Sequence, residues 1–157
     1  FLKLKDLFLN INNGSHFFNL LEFWLGQFVG FKLMAAGRLW KDRDPEPDVV
    51  VKFERGTVTF ISAWEERFSH CTLELLSHSG RLRYEQGGVS IKWKSVLPDS
   101  NFSGYKVLNS SSEMISNDMN RYQWHVYEQL AGKQNTLCTG RQALTTLESM
   151  HGIIEER

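Results

Sequence analysis

Between Phe28 and Val96 the chain keeps changing sides. Val29, Phe31, Leu33 and Ala35 alternate with Gly30, Lys32, Met34 and Ala36. That is the period of two expected of a β-strand. Val49 to Phe53 and Thr57 to Trp64 read as two more strands, joined by Glu54-Arg55-Gly56. Gly56 is the residue there able to take positive φ, so a tight hairpin is expected. Thr72 to Leu76 and Arg81 to Glu85 flank a second hairpin at Ser77-His78-Ser79-Gly80. Val89 to Val96 is a sixth strand, approached through Gly87-Gly88, and Tyr105 to Leu108 is a further short one. Lys41 to Pro47 reads as a charged loop broken by proline. Asn109-Ser110-Ser111-Ser112 reads as a mobile connection.

Helical periods flank this run. Phe1 to Ile11 is apolar without a clear period. From Asn12 to Gly26, a step of about 100° per residue puts Phe17, Phe18, Leu20, Leu21, Trp24 and Leu25 on one arc. Ser15, Asn19, Glu22 and Phe23 fill the other arc, with His16 at the boundary. Asn12 or Asn13 can cap the start and Gly26 can end the helix. Met119, Tyr122, Val126 and Leu130 share a face of a second helix, ending at Gly132. Thr139 and Gln142 have the spacing of a capping box. Ala143, Leu144, Leu147, Met150, His151 and Ile154 then mark a last helix. The order predicts an α+β fold: an open, mostly antiparallel sheet of about six strands with helices packed on one face. No second domain boundary is visible, so residues 1–157 read as one domain. Phe60, Trp64 and Trp93 are candidates for an aromatic outer face that pairs two copies of the chain.

Charge and composition narrow the function. Eighteen Lys and Arg balance eighteen Asp and Glu. No basic run alternates with aromatics, which argues against nucleic acid. No apolar run approaches the roughly 20 residues that span a bilayer, which argues against a membrane. The N-terminal stretch lacks a small-residue cleavage site, so a cytoplasmic protein is expected. Cys71 and Cys138 are then expected to be buried free thiols. His70, His78 and His125 have no metal-ligand spacing, and no metal is expected. The absent initiator Met suggests a piece of a longer protein.

Four short segments carry a resemblance. Gly14-Ser15-His16-Phe17-Phe18-Asn19-Leu20-Leu21 resembles the Gly-x-His-x-x-Asp segment of the Gfo/Idh/MocA oxidoreductases. Phe53-Glu54-Arg55-Gly56-Thr57 resembles that family's Phe-x-x-Gly hairpin, and Leu75 to Leu82 resembles its next hairpin. Thr139 to Leu147 resembles the start of its final helix. The four run in the family's order over its C-terminal domain. The resemblance implies the substrate-binding and oligomerisation domain of an NAD(P)-dependent oxidoreductase acting on a sugar or sugar derivative. The family's N-terminal Rossmann domain, which holds NAD or NADP, has no counterpart motif here. That domain would be a partner in the parent, together with a second copy forming a dimer or tetramer. This chain alone is then expected to bind no nicotinamide cofactor tightly and to be inactive.

The implied chemistry is proton transfer accompanying hydride transfer. His16 matches the family histidine and is the candidate catalytic residue; an imidazole suits that shuttle near neutral pH. Asn12 falls where many members have an Asp that supports the imidazole, and Asn19 replaces another common Asp. Both are candidate substrate-binding residues. An amide can hold a ring or a hydroxyl by hydrogen bonds but cannot take the proton. A second class stays open beside the enzyme: a non-catalytic binding or assembly domain that kept the fold.

Overall fold

The computed structural model describes residues 2–3, 13–40, 44–61, 71–116, 121–132 and 136–156. Within them the chain forms β1 (Leu2–Lys3), α1 (Asn13–Leu25), β2 (Phe28–Trp40), β3 (Asp44–Phe53) and β4 (Gly56–Phe60). It continues with β5 (Leu73–Leu76), β6 (Gly80–Glu85), β7 (Ser90–Pro98), β8 (Lys106–Leu108) and β9 (Glu113–Ser116). α2 (Tyr122–Ala131) and α3 (Gly140–Glu155) close the chain. The strands run in the order β2-β3-β4-β1-β5-β6-β7-β8, and β9 also pairs with β7. Each hairpin pair is antiparallel; β1 lies parallel to β4 and antiparallel to β5. The fold is α+β.

The sheet is wider than the sequence pattern suggested. β1 and β9 escaped the reading because strands of two and four residues show too little alternation. Both are added by pairing partners elsewhere in the chain, Val58 and Leu75 for β1 and the middle of β7 for β9. The expected proline loop at 41–47 is partly strand: residues 44–48 pair with β2 through Trp40↔Asp44 to Ala35↔Asp48. Among the described residues the β3–β4 register begins at Val49↔Phe60. Sequence reading placed a loop at 41–47 because proline lacks the N–H that a strand ladder uses.

The core lies between the sheet and α1 with α3. Phe18, Leu21, Val49, Val51, Phe53, Val58, Phe60, Leu73, Met150 and Ile153 are all buried. Phe18 is the hub, with ring centroids 5.3 Å from Phe53, 5.8 Å from Phe28 and 6.1 Å from Phe60. Offset and tilted rings at such distances add packing energy beyond their buried area. Phe60 is therefore a core residue, 0% exposed, and not part of an outer aromatic face. Trp93 is placed inward as well. It pairs with Leu82, which packs on the core, and its ring closes on Gly80. A Cβ at Gly80 would collide with that ring and with the Lys94 carbonyl, so the hairpin needs glycine there. Trp64 lies outside the described residues. The outer face of β5, β6 and β7 carries charges instead. Arg81 bonds Glu74 at 3.3 Å, Arg83 bonds Glu85 at 3.1 Å, and Lys92 reaches Glu85 at 3.7 Å.

The three helices are used differently from what their sequence arcs imply. α1 follows its arc, except that Trp24 sits at the exposed rim and Leu20 is half-buried on the side of the polar stripe. α3 has the expected capping box: Thr139 Oγ1 accepts from Gln142 N at 3.3 Å and Gln142 Oε1 accepts from Thr139 N at 2.8 Å. Its buried stripe, however, is Thr146, Met150 and Ile153, while Leu144, Leu147 and His151 face solvent. α2 buries nothing, and Tyr122, Val126 and Leu130 are exposed. Met119 lies outside the described residues. No helix among the described residues is long and apolar enough to cross a membrane. Cys71 and Cys138 are not joined in a disulfide; Cys71 is half-buried and Cys138 exposed, so neither is the fully buried thiol expected.

Candidate functional site

A cleft of about 690 Å³ opens between the polar side of α1, the β3–β4 turn and the start of α3. α1 supplies His16, Asn19, Leu20, Glu22 and Phe23, a stripe three to four residues apart that helical geometry puts on one side. Glu54 comes from the turn. Cys138, Arg141, Gln142 and Thr145 come from the approach to α3 and its first turns. Three of the four segments that carry the family resemblance thus meet at one place, although more than a hundred residues separate the first from the last.

The β3–β4 turn fixes the end of α1. Gly26 has φ +83° and ends the helix in the left-handed conformation that favours glycine. Glu54 lies where a Cβ on Gly26 would stand, and its carboxylate accepts from Gln27 N at 3.2 Å. Arg55 donates from its guanidinium to the Trp24 carbonyl at 3.0 Å and from its backbone to Leu25 O at 2.8 Å. Those carbonyls belong to the last turn of the helix, which has no intrahelical donors for them. The turn is closed by the Phe53↔Gly56 pair. Gly56 is not among the described residues with positive φ, contrary to the sequence expectation. The left-handed glycine needed here is the one ending the helix.

α1 and α3 are joined inside the cleft by a chain of hydrogen bonds. Asn19 donates from Nδ2 to Thr146 Oγ1 at 3.1 Å, and Thr146 donates its hydroxyl proton to Glu22 Oε2 at 2.6 Å. Thr146 is 1% exposed. Burial pushes the Glu22 carboxyl above the usual carboxylate range, and the Thr146 bond partly opposes that rise. This explains the rotated stripe of α3. A buried threonine must have its hydroxyl satisfied, and the polar side of α1 satisfies it.

The predicted site residues are therefore partly assembled. His16 and Asn19 line the same cleft; His16 is exposed, and Asn19 is half-buried with its amide turned to Thr146. Asn12 lies outside the described residues. Sequence reading missed Glu22, Glu54, Arg141 and Thr146. Glu22 was within reach, since it falls on the polar arc of α1, three residues after Asn19. Thr146 was not, because it looks like a solvent residue beside Leu144 and Leu147. Among the described residues no three His, Cys, Asp or Glu side chains group as metal ligands. His78 and His125 lie on the β5–β6 hairpin and α2, away from the cleft, and His70 lies outside the described residues.

The cleft is large enough for a small-molecule ligand. It sets amides, hydroxyls and two carboxylates beside one guanidinium and an imidazole, with Leu20 and Phe23 as apolar wall. Few polar groups on an apolar wall are the usual means of orienting such a ligand. Gly87 and Gly88 take positive φ just before β7, and at the start of α3 the Gln142 amide is held by Thr139. Compared with known proteins, the chain matches no family model, no curated protein and no solved structure.

Proposed function

We propose that this chain is the substrate-binding domain of an oxidoreductase of the Gfo/Idh/MocA kind, acting on a sugar or sugar derivative. One observation carries the reading: His16, Asn19, Glu54 and Arg141 come from three of the resembling segments and line one cleft. In this reading NAD or NADP, held by a separate domain, accepts or supplies the hydride when bound. The residues of this chain bind the substrate and handle the proton. His16 stands at the open side of the cleft, where a ring nitrogen can take a hydroxyl proton near neutral pH. The Asn19 amide carries no charge and spends one N–H on Thr146, so it positions and does not titrate.

Titration of the isotope-labelled chain with D-glucose and with sorbitol, followed by NMR, tests the reading. Saturable shifts are expected at His16, Asn19 and Glu54, with millimolar dissociation constants, about 4 kcal/mol of binding. Shifts scattered over the surface without saturation would overturn it. That outcome would favour the non-catalytic assembly domain, with the charged outer face of β5, β6 and β7 as its contact surface.

A further inference from the structure

We infer that Glu22 is the residue that reads the ligand's hydroxyl groups, and that Thr146 and Asn19 exist in the fold to aim it. The inference rests on the sugar-binding reading of the cleft and names the group that recognises the substrate class.

Direction is the first argument. A threonine hydroxyl has a single proton and two lone pairs. Asn19 Nδ2 can only donate, so it occupies a lone pair of Thr146 Oγ1. The one proton of Thr146 is thereby left for Glu22 Oε2, at 2.6 Å. The chain of bonds runs one way, from amide to hydroxyl to carboxyl. It holds Glu22 as an acceptor, which is the ionised form or the carbonyl oxygen of the acid.

Position is the second. Glu22 lines the cleft with Asn19 and His16, about one helical turn from Asn19 and nearly two from His16. Thr146 takes only Oε2, and Oε1 has no hydrogen-bond partner among the described residues. An acceptor oxygen on the wall of a polar cleft is complementary to an incoming hydroxyl. A protein that needed only to join α1 to α3 could do so with an apolar pair, which leaves no polar atoms to satisfy.

Charge is the third. The other ionisable side chains lining the cleft are His16 on α1 itself, Glu54 on the β3–β4 turn, and Arg141 and Cys138 on the α3 side. Among the Asp, Glu, Lys and Arg side chains of the lining, two carboxylates stand against one guanidinium. The excess negative charge admits neutral polyols and disfavours sugar acids. A hydroxyl donor bonds most strongly to the ionised carboxylate. Binding should therefore weaken as the pH falls through the raised Glu22 titration.

The test uses the chain with glutamate carboxyls labelled by carbon-13, free and then titrated with sorbitol, with glucose and with gluconate. In the free chain the Asn19 side-chain amide signals should move with the Glu22 carboxyl titration, and Thr146→Val should uncouple the two. With sorbitol the Glu22 carboxyl signal should shift on binding. Glu22→Gln should weaken sorbitol binding roughly five- to ten-fold and abolish its loss on acidification, and gluconate should bind wild type several-fold more weakly than sorbitol. If Asn19 ignores the Glu22 titration, the aiming chain does not exist, and the inference fails whatever the ligand. If sorbitol shifts His16 and Asn19 but Glu22→Gln binds like wild type, the inference fails and the sugar-binding reading stands. If no polyol binds in the cleft, both fail together.

Discussion

The two faces of the sheet solve different problems. The inner face, against α1 and α3, is built from aromatic and branched residues around Phe18, and it holds the helices that form the cleft. The outer face of β5, β6 and β7 is a ladder of half-exposed charges, with Arg81 opposite Lys94 and Arg83 opposite Lys92. Like charges directly across a strand pair disfavour pairing unless anions intervene, and Glu74 and Glu85 do so here. The inner face therefore sets stability and geometry, while the outer face sets the character of the surface.

That contrast can be broken by one pair of substitutions. Phe18→Ala removes a fully buried ring touching three others, and should cost about 3–5 kcal/mol in denaturant unfolding. Lys92→Ala on the outer face should stay within about 0.5 kcal/mol. Equal losses would mean that the charged face is as structural as the core.

The junction between inner face and cleft is sharpened by Gly26→Ala. An alanine there meets the left-handed backbone cost of roughly 1–2 kcal/mol and also displaces Glu54. Adding Glu54→Ala should recover the steric part of the loss and leave the backbone part. Full recovery in the double variant would show that φ +83° is not needed to end α1.

The smallest effect separates stability from binding inside the cleft itself. The Glu22 carboxyl is raised in the folded chain, so folding favours its protonated form. The sign follows from linkage. Its favourable contribution is fully present below the unfolded value near 4.5, and is lost as the pH rises through the folded value. Glu22→Gln, which keeps an acceptor for Thr146 without the charge, should therefore melt slightly higher than wild type at pH 7. The difference should shrink as the pH falls to about 4. A variant less stable at pH 7 would mean that the charge, and not only the hydrogen bond, holds α1 to α3.

Much of this was legible in the residues. The alternation at Val49 to Phe53 and the hairpin at Ser77 to Gly80 needed only local pattern and turn chemistry, and so did the Thr139–Gln142 capping box. His16 and Asn19 could be placed on one side of α1 by counting at the helical period. What that count could not supply was a partner. Phe60 and Trp93 sit on alternating strands, and only the packing of α1 decides which face of a strand is inward. The same holds for α3, where hydrophobicity alone selects Leu144 and Leu147 and the structure selects Thr146.

The sequence by itself determined the local elements, because hydrogen-bonding period, turn residues and caps act within a few positions along the chain. It also determined the absence of strong net charge, and the polar stripe of α1 that became one wall of the cleft. Only the tertiary structure decided that Thr146 joins Asn19 to Glu22, across sequence separations of 127 and 124 residues. Only it turned Glu54 and Arg55 from a hairpin turn into the clamp on α1. The physical reason is that a buried polar group must find its partner wherever packing brings one, and the sequence records the need without recording the address.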